Sequence, residues 1–158
     1  MRADGQTSKH LLLAVVVTMV GMMLMLITVA FSWEEWMVPV IVIGNSLVWC
    51  LHIGRIGSEA LYENLCVGLL LVGFFFFGVH SVSLFDIPAI ACIVFLIFSM
   101  IDKTLPLYMA VGLYVLELLY HWLILHTISR GISVQDIIRL FLGAVIVAGA
   151  MAIARYRI

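Results

Sequence analysis

The sequence predicts an all-α, polytopic membrane protein: a bundle of six transmembrane helices with both termini in the cytoplasm. Three observations point there. Of the 158 residues, 65% are hydrophobic and only 11% charged, where a soluble domain carries roughly 25% charge; the mean hydropathy is +1.24. The apolar residues fall into six runs separated by short polar turns, and each run, wound as a helix, satisfies its own backbone hydrogen bonds as hydrocarbon demands. Of the 8 Lys and Arg residues, Arg2, Lys9, Arg55, Lys103, Arg155 and Arg157 fall on one side of this arrangement and only Arg130 and Arg139 on the other, an asymmetry that sets both termini inside. No polar stretch is long enough for a second core, so the runs form one membrane domain whose first partner is the lipid bilayer. The net charge of −1 and the lack of a basic run give nucleic acid no footing.

Residues 1–9, MRADGQTSK, read as a polar N-terminal tail. The first span covers about 10–31. It is too long for the apolar core of a cleaved signal peptide, and no small-x-small pattern ends it. Ser32–Trp36, SWEEW, is an acidic turn whose two Trp rings suit the membrane–water interface. The second span, about 36–53, has Pro39 in its first turn, where a missing N–H is tolerated; Asn45 and His52 on this span are expected to hydrogen-bond between helices. The connection Gly54–Tyr62 leads to the third span, about 63–80, and Arg55, Glu59 and Glu63 read as its solvated rim. A short fourth span opens near Pro88 and covers about 87–101, and Pro106 begins the fifth, about 105–127. Ser133 and Asp136 have the spacing of a capping box at the head of the last span, 134–158. The three cysteines, Cys50, Cys66 and Cys92, share no close spacing and are expected to be packed thiols.

The chemistry concentrates on the fifth span, LPLYMAVGLYVLELLYHWLILHT. Glu117 and His121 are four residues apart and so share a helix face, which Tyr114 extends by a turn. An ionisable group at mid-membrane costs roughly 2.5–3.5 kcal/mol on insertion scales, so this face must look at protein, water or a ligand. It reads either as a structural hydrogen-bonded pair or as a site for a cation, a proton or a ligand. Arg139 is the expected partner of Glu117: at a rise of about 1.5 Å per residue the two lie within one to two turns of each other in depth. On the outer face His80, Asp86 and His126, with His121, stand either as a metal or pH-sensing group or as separate interfacial residues. No zinc-ligand spacing is present, and neither a metal nor a cofactor is expected. Ala144, Ala148 and Ala152, with Gly149 beside them, make a small-xxx-small ridge for close helix packing, within the chain or between two copies; a homodimer is the expectation. There is no glycine-rich phosphate loop, nucleophile elbow, HExxH or pair of aspartates, and hence no recognisable catalytic apparatus.

Five segments, FSWEEWMVPVIVIG, LHIGRIGSEALYENL, FGVHSVSLFDIPAIACI, LLYHWLILHTIS and AMAIARYRI, together resemble the amino-terminal membrane region of bacterial sensor histidine kinases, especially hybrid kinases of Gram-positive anaerobes. Similar regions precede diguanylate cyclase domains. The resemblance covers nearly the whole chain but carries no motif of known chemistry. It implies a signal-input module in the bacterial cytoplasmic membrane whose last helix hands a stimulus to cytoplasmic signalling domains or a response regulator, the kinase half lying beyond Ile158. The rival expectation is a small transporter or channel that uses Glu117 and His121.

Overall fold

The computed structural model describes residues 2–80, 86–101, 103–125 and 134–158. Among them the chain is all-helical: α1 (Arg2–Ala30), α2 (Met37–Gly54), α3 (Glu59–His80), α4 (Asp86–Phe98), α5 (Thr104–Tyr120), a π-helical turn (His121–Leu125) and α6 (Val134–Arg157). All but α4 are long and apolar enough to cross a membrane. Their exterior is as apolar as their interior: Met19, Leu26, Val29, Leu116 and Phe141 are among many large hydrophobic side chains left exposed. A water-soluble protein rarely presents contiguous apolar surface on that scale; a lipid-embedded one must.

Most boundaries fall within a few residues of those expected. The first helix starts earlier, at Arg2, so the polar residues ahead of His10 continue it. The third starts one turn early because the Ser58 hydroxyl accepts from the Leu61 N–H at 3.2 Å and caps it. The fourth is the clearest departure from a six-span pattern. Its 13 residues reach about 20 Å at the α-helical rise, short of a hydrocarbon core of roughly 30 Å. Beyond Phe98 the chain tightens: Met100 and Ile101 donate three residues back, to Ile97 and Phe98. The Ser133–Asp136 capping box, His126 and Arg130 fall partly or wholly outside the described residues.

The chain divides into two compact units, Met1–Gly73 and Phe74–Ile158. In the first, α1 buries Leu13, Val17, Gly21, Leu24 and Thr28, a stripe stepping by three and four residues along one helix face. Gly21 admits α2 closely, since a methyl there would meet Ile41 Cγ2 at 2.9 Å. The Trp49 indole N–H reaches across to Thr18 Oγ1 at 2.9 Å, while the Thr18 hydroxyl donates to the Ala14 carbonyl at 2.8 Å. Asn45 and His52 do not act as the expected pair of interhelical donors and acceptors. The Asn45 Oδ1 is buried without a hydrogen-bond partner, and His52 packs edge-on to Trp49 at 5.9 Å. All three cysteines are free; Cys66 is buried and Cys92 half-buried, but Cys50 is exposed rather than packed.

In the second unit α4 is the core. Ile87, Pro88, Ala91, Val94, Phe95, Ile97 and Phe98 are all buried, so most of this helix faces protein, while Ile93 and Leu96 stay exposed. α5 presents Leu107, Ala110, Tyr114, Glu117 and His121 as one buried stripe. α6 packs through Gly143, Val147 and Ala154, whereas Ala144, Ala148 and Ala152 are exposed. The alanine ridge is therefore not the intrachain packing face. At about 100° of turn per residue, these alanines lie a quarter-turn or more away from the Gly143 face.

Gly143 makes that packing possible: a methyl there would sit 2.7 Å from Pro88 Cγ, and a proline ring cannot step aside as a flexible chain end can. Gly143→Val is thus expected to destabilise the protein by about 1–3 kcal/mol through overpacking. Ala148→Leu, facing outward, is expected to change little. Thermal unfolding of both variants in the same detergent checks the contrast, and equal losses would mean that the alanine ridge is also packed.

Candidate functional site

The site is built from the end of α3 and the middle of α5. The last four carbonyls of a helix have no intrahelical donor, and Gly78 supplies one of these in α3. The His121 Nε2 meets that carbonyl at 2.5 Å. A carbonyl only accepts, so Nε2 carries the hydrogen, and in the neutral ring Nδ1 is left as the acceptor. His121 is 1% exposed. It sits where α5 passes into the π-helical turn, and its backbone N–H is shared between the carbonyls of Glu117 and Leu118. Such π-helical turns are often found at functional positions.

Glu117 lies one turn before His121 on the same face and is also 1% exposed. Its carboxyl packs directly on the backbone of Gly78, where a side-chain carbon would collide with the carboxyl carbon and both oxygens. Neither carboxyl oxygen has a hydrogen-bond partner. Tyr114, a turn further along the stripe and 5% exposed, also has a buried hydroxyl without a partner. That hydroxyl would lie 3.7 Å from a methyl at Gly143, so Tyr114 connects the stripe to α6. The three residues expected to share a face do so.

Arg139 does not join them. It is exposed on α6, and the unpartnered Glu117 oxygens rule out the expected ion pair. Arg139 is four residues from Gly143, about 40° around the helix at 100° per residue. A long guanidinium side chain at the margin of a packed face extends its charge outward, as such side chains do beside apolar surface. The outer-face candidates are likewise in separate settings. The His80 Nδ1 donates to the carbonyl of Phe76 in its own helix at 2.8 Å, Asp86 is exposed in the first turn of α4, and His121 is bound to Gly78. Among the described residues no group of three His, Cys, Asp or Glu side chains is placed to hold a metal ion.

A second polar cluster, in the first unit, was expected to be only a solvated rim. Glu63 is buried, at 4% exposure, and lies 3.5 Å from the Lys9 Nζ. Tyr62 donates its hydroxyl to the His10 carbonyl at 2.8 Å, while the two rings stack at 4.7 Å. His10 Nε2 approaches a Glu59 oxygen at 3.7 Å, beyond hydrogen-bond distance. The cluster fastens the N-terminal part of α1 to α3. The signal for it was present in the spacing: Glu59, Tyr62, Glu63, Cys66 and Leu70 recur at three- and four-residue intervals, so a carboxylate on that face turns inward with Cys66.

No known protein family, curated protein or solved structure matches this chain. What the fold defines is the class: an all-helical protein with several apolar helices of membrane-spanning length and an acid–imidazole site buried between two of them.

Two outcomes follow from the geometry. Arg139→Leu is expected to leave thermal stability in detergent within about 0.5 kcal/mol of wild type, while Gly78→Ala, which drives a methyl into the Glu117 carboxyl, costs about 1–3 kcal/mol. Separately, Lys9→Met leaves the buried Glu63 carboxylate without that partner and is expected to cost about 1–3 kcal/mol; a neutral result would show that Glu63 is held by its other neighbours.

Proposed function

We propose that this chain is the membrane-embedded signal-input module of a bacterial two-component sensor histidine kinase. It lies in the cytoplasmic membrane with six spans and both termini inside, works as a homodimer, and passes a stimulus through α6 to cytoplasmic signalling domains. The observation that carries the proposal is the approach of the buried Tyr114 hydroxyl to α6 at Gly143, 3.7 Å from where a methyl there would lie, on the stripe that holds Glu117 and His121. A change of charge or hydrogen bonding at Glu117 then acts one turn away from the output helix. α6 is suited to respond. Its packed strip of Gly143, Val147 and Ala154 has no large knobs to lock it, and small shifts of such helices are a common form of transmembrane switching. Near its C-terminal end the Arg155 guanidinium lies 5.9 Å above the Tyr108 ring, a second point at which α5 steers α6. The exposed ridge of Ala144, Ala148 and Ala152 is the face offered to a second copy.

The unpartnered carboxyl of Glu117 also favours a second reading, a small transporter or channel with Glu117 and His121 as the coupling site. One pair of experiments separates the two. The chain is joined through Ile158 to the cytoplasmic half of a sensor kinase with a transcriptional reporter, and the same protein is placed in vesicles loaded with a pH dye. The signal-input reading expects Glu117→Gln and Gly143→Ala to change reporter output about 5-fold or more, the low end of ordinary coupling free energies, with no Glu117-dependent proton flux. Flux that depends on Glu117, with an unresponsive reporter, establishes transport instead. Topology reporters at Ile158 and in the 81–85 connection are expected to read cytoplasmic and external; an external signal at Ile158 removes the six-span arrangement.

A further inference from the structure

Between the end of α1 and the start of α2 lies a cleft of about 470 Å³, within the range of roughly 300–1,000 Å³ that small-molecule sites occupy. Its walls include Val29 of α1, Ser32, Trp33 and Glu35 of the turn, and Val38 and Pro39 of α2. The turn joins two helices of membrane-spanning length, so the cleft opens where hydrocarbon meets water. Its charge is one-sided. Glu35 is exposed on the wall, and no Lys or Arg occurs between Lys9 and Arg55. Lys9 is about 29 Å away along α1 at the helical rise, and Arg55 follows the far end of α2. The C-terminal end of α1 adds the negative end of its dipole. An anion finds no seat here. The head of a helix ordinarily offers one through bare N–H groups, but the Met37 and Val38 N–H groups donate to the Glu34 and Glu35 carbonyls at 3.5 and 3.1 Å, and Pro39 has no N–H. The hydroxyl of Thr28, which also borders the cleft, donates to the Leu24 carbonyl at 2.8 Å.

The same cleft carries an indole and an apolar exit. Trp33 is half-buried, with the Phe31 ring stacked against it at 5.9 Å, and Trp is the aromatic side chain that attracts an organic cation most strongly. From Val29 a line of exposed side chains, Leu26, Met22 and Met19, steps back along α1 by three and four residues, so the four form one apolar track that starts at the cleft. We propose that the cleft binds a cationic amphiphile dissolved in the membrane, its ammonium head set between Glu35 and Trp33 and its alkyl chain laid along Val29, Leu26 and Met22. The three features exclude the nearest alternatives. A head group that also carries phosphate brings an anion to a place with no basic side chain to meet it. A divalent metal ion needs more than one carboxylate, since calcium takes six to eight oxygens, and Val29, Val38 and Pro39 offer it no side-chain oxygen. A small hydrated cation makes no use of the apolar track. The site belongs to the first unit and rests on no part of the function proposed above.

The test is thermal unfolding of the intact chain in uncharged maltoside micelles, titrated with decyltrimethylammonium, because a ligand that binds only the folded form raises the unfolding temperature in proportion to its occupancy. Decanol and decyl sulfate carry the same tail without the positive charge, and tetramethylammonium carries the charge without the tail. Decyltrimethylammonium is expected to give a saturable rise that neither decanol nor decyl sulfate gives, and tetramethylammonium to need at least about 10-fold more ligand for the same shift, the equivalent of about two buried methylene groups. Glu35→Gln is expected to weaken the apparent affinity about 5-fold, the upper end for an exposed ion pair, and Trp33→Leu about 3-fold. Glu34→Gln removes the same charge from the turn but lies outside the cleft, and is expected to leave the affinity unchanged. If Trp33→Leu fails to fold, Trp33→Phe takes its place with a smaller loss. A rise that is equal in wild type and Glu35→Gln, that decanol reproduces, or that falls equally in Glu34→Gln overturns the site. Equal potency of tetramethylammonium overturns the amphiphile and leaves a water-borne ammonium as the occupant.

Discussion

The second unit depends on one backbone carbonyl. Gly78 lies within the last turn of α3, where the helix has no donor of its own to offer. Left bare in a nonpolar surrounding, such a group costs roughly 1–3 kcal/mol. His121 supplies the donor, and that requirement fixes the ring's tautomer, the rotational setting of α5 and the depth at which α5 meets α3. Glycine at this position is a consequence of the same contact. With any side chain here, Glu117 and His121 cannot both approach the α3 backbone. The acid is thereby held in a place where its oxygens find no partner, although any residue with an apolar side chain would avoid that cost. Retention of a carboxyl there is intelligible if its charge is used.

The α5 stripe was fully legible in the sequence. Leu107, Ala110, Tyr114, Glu117 and His121 follow the helical period without a break, and a polar residue on a membrane helix must lie on the face that avoids lipid. What the period does not provide is rotation relative to a neighbouring helix. For that reason the alanine ridge on α6 was recognisable as a ridge but not as outward-facing. The parallel strip one residue earlier, beginning at Gly143, is the one that Pro88 fits. Arg139 shows the same limit. Depth along the membrane normal can be counted from residue numbers, and it put Arg139 near Glu117; whether a side chain then points across or away is set by packing that the count does not contain.

The first unit shows the opposite case, where the pattern held more than was taken from it. Glu59 and Glu63, beside a glycine-rich turn, look like a polar rim, because charged residues at the end of an apolar run usually meet water. Ser58 shifts the start of α3 back by a turn, and this places Glu63 inside the helix on the Cys66 face. From there it meets Lys9, while Tyr62 meets His10. A residue read as part of a solvated rim thus becomes a buried anchor. The cluster gives α1 an ion pair, a hydrogen bond and a ring stack at a single level, and so makes the attachment of α1 to α3 specific in register, which a purely apolar seam between lipid-exposed helices would not do.

The two polar centres differ in how they are satisfied, and the difference separates structure from use. In the α1–α3 cluster Lys9 is paired with Glu63 and the Tyr62 hydroxyl has an acceptor, although the His10 Nε2 has no hydrogen bond, so that cluster is the more nearly satisfied of the two. At Glu117 the carboxyl is buried, unpaired and one helical turn from a basic ring nitrogen, while the adjacent Tyr114 hydroxyl is also unsatisfied at the edge of α6. A fully satisfied network rigidifies, but a half-satisfied one retains alternatives of similar free energy. Only the second kind leaves room for a ligand to act, because a ligand shifts an equilibrium solely through its different affinity for two accessible states. Among the described residues α6 packs through the small residues Gly143, Val147 and Ala154; on the proposed signal-input reading it is the element such a bias would move, and Tyr114 near Gly143 is where the bias would reach it.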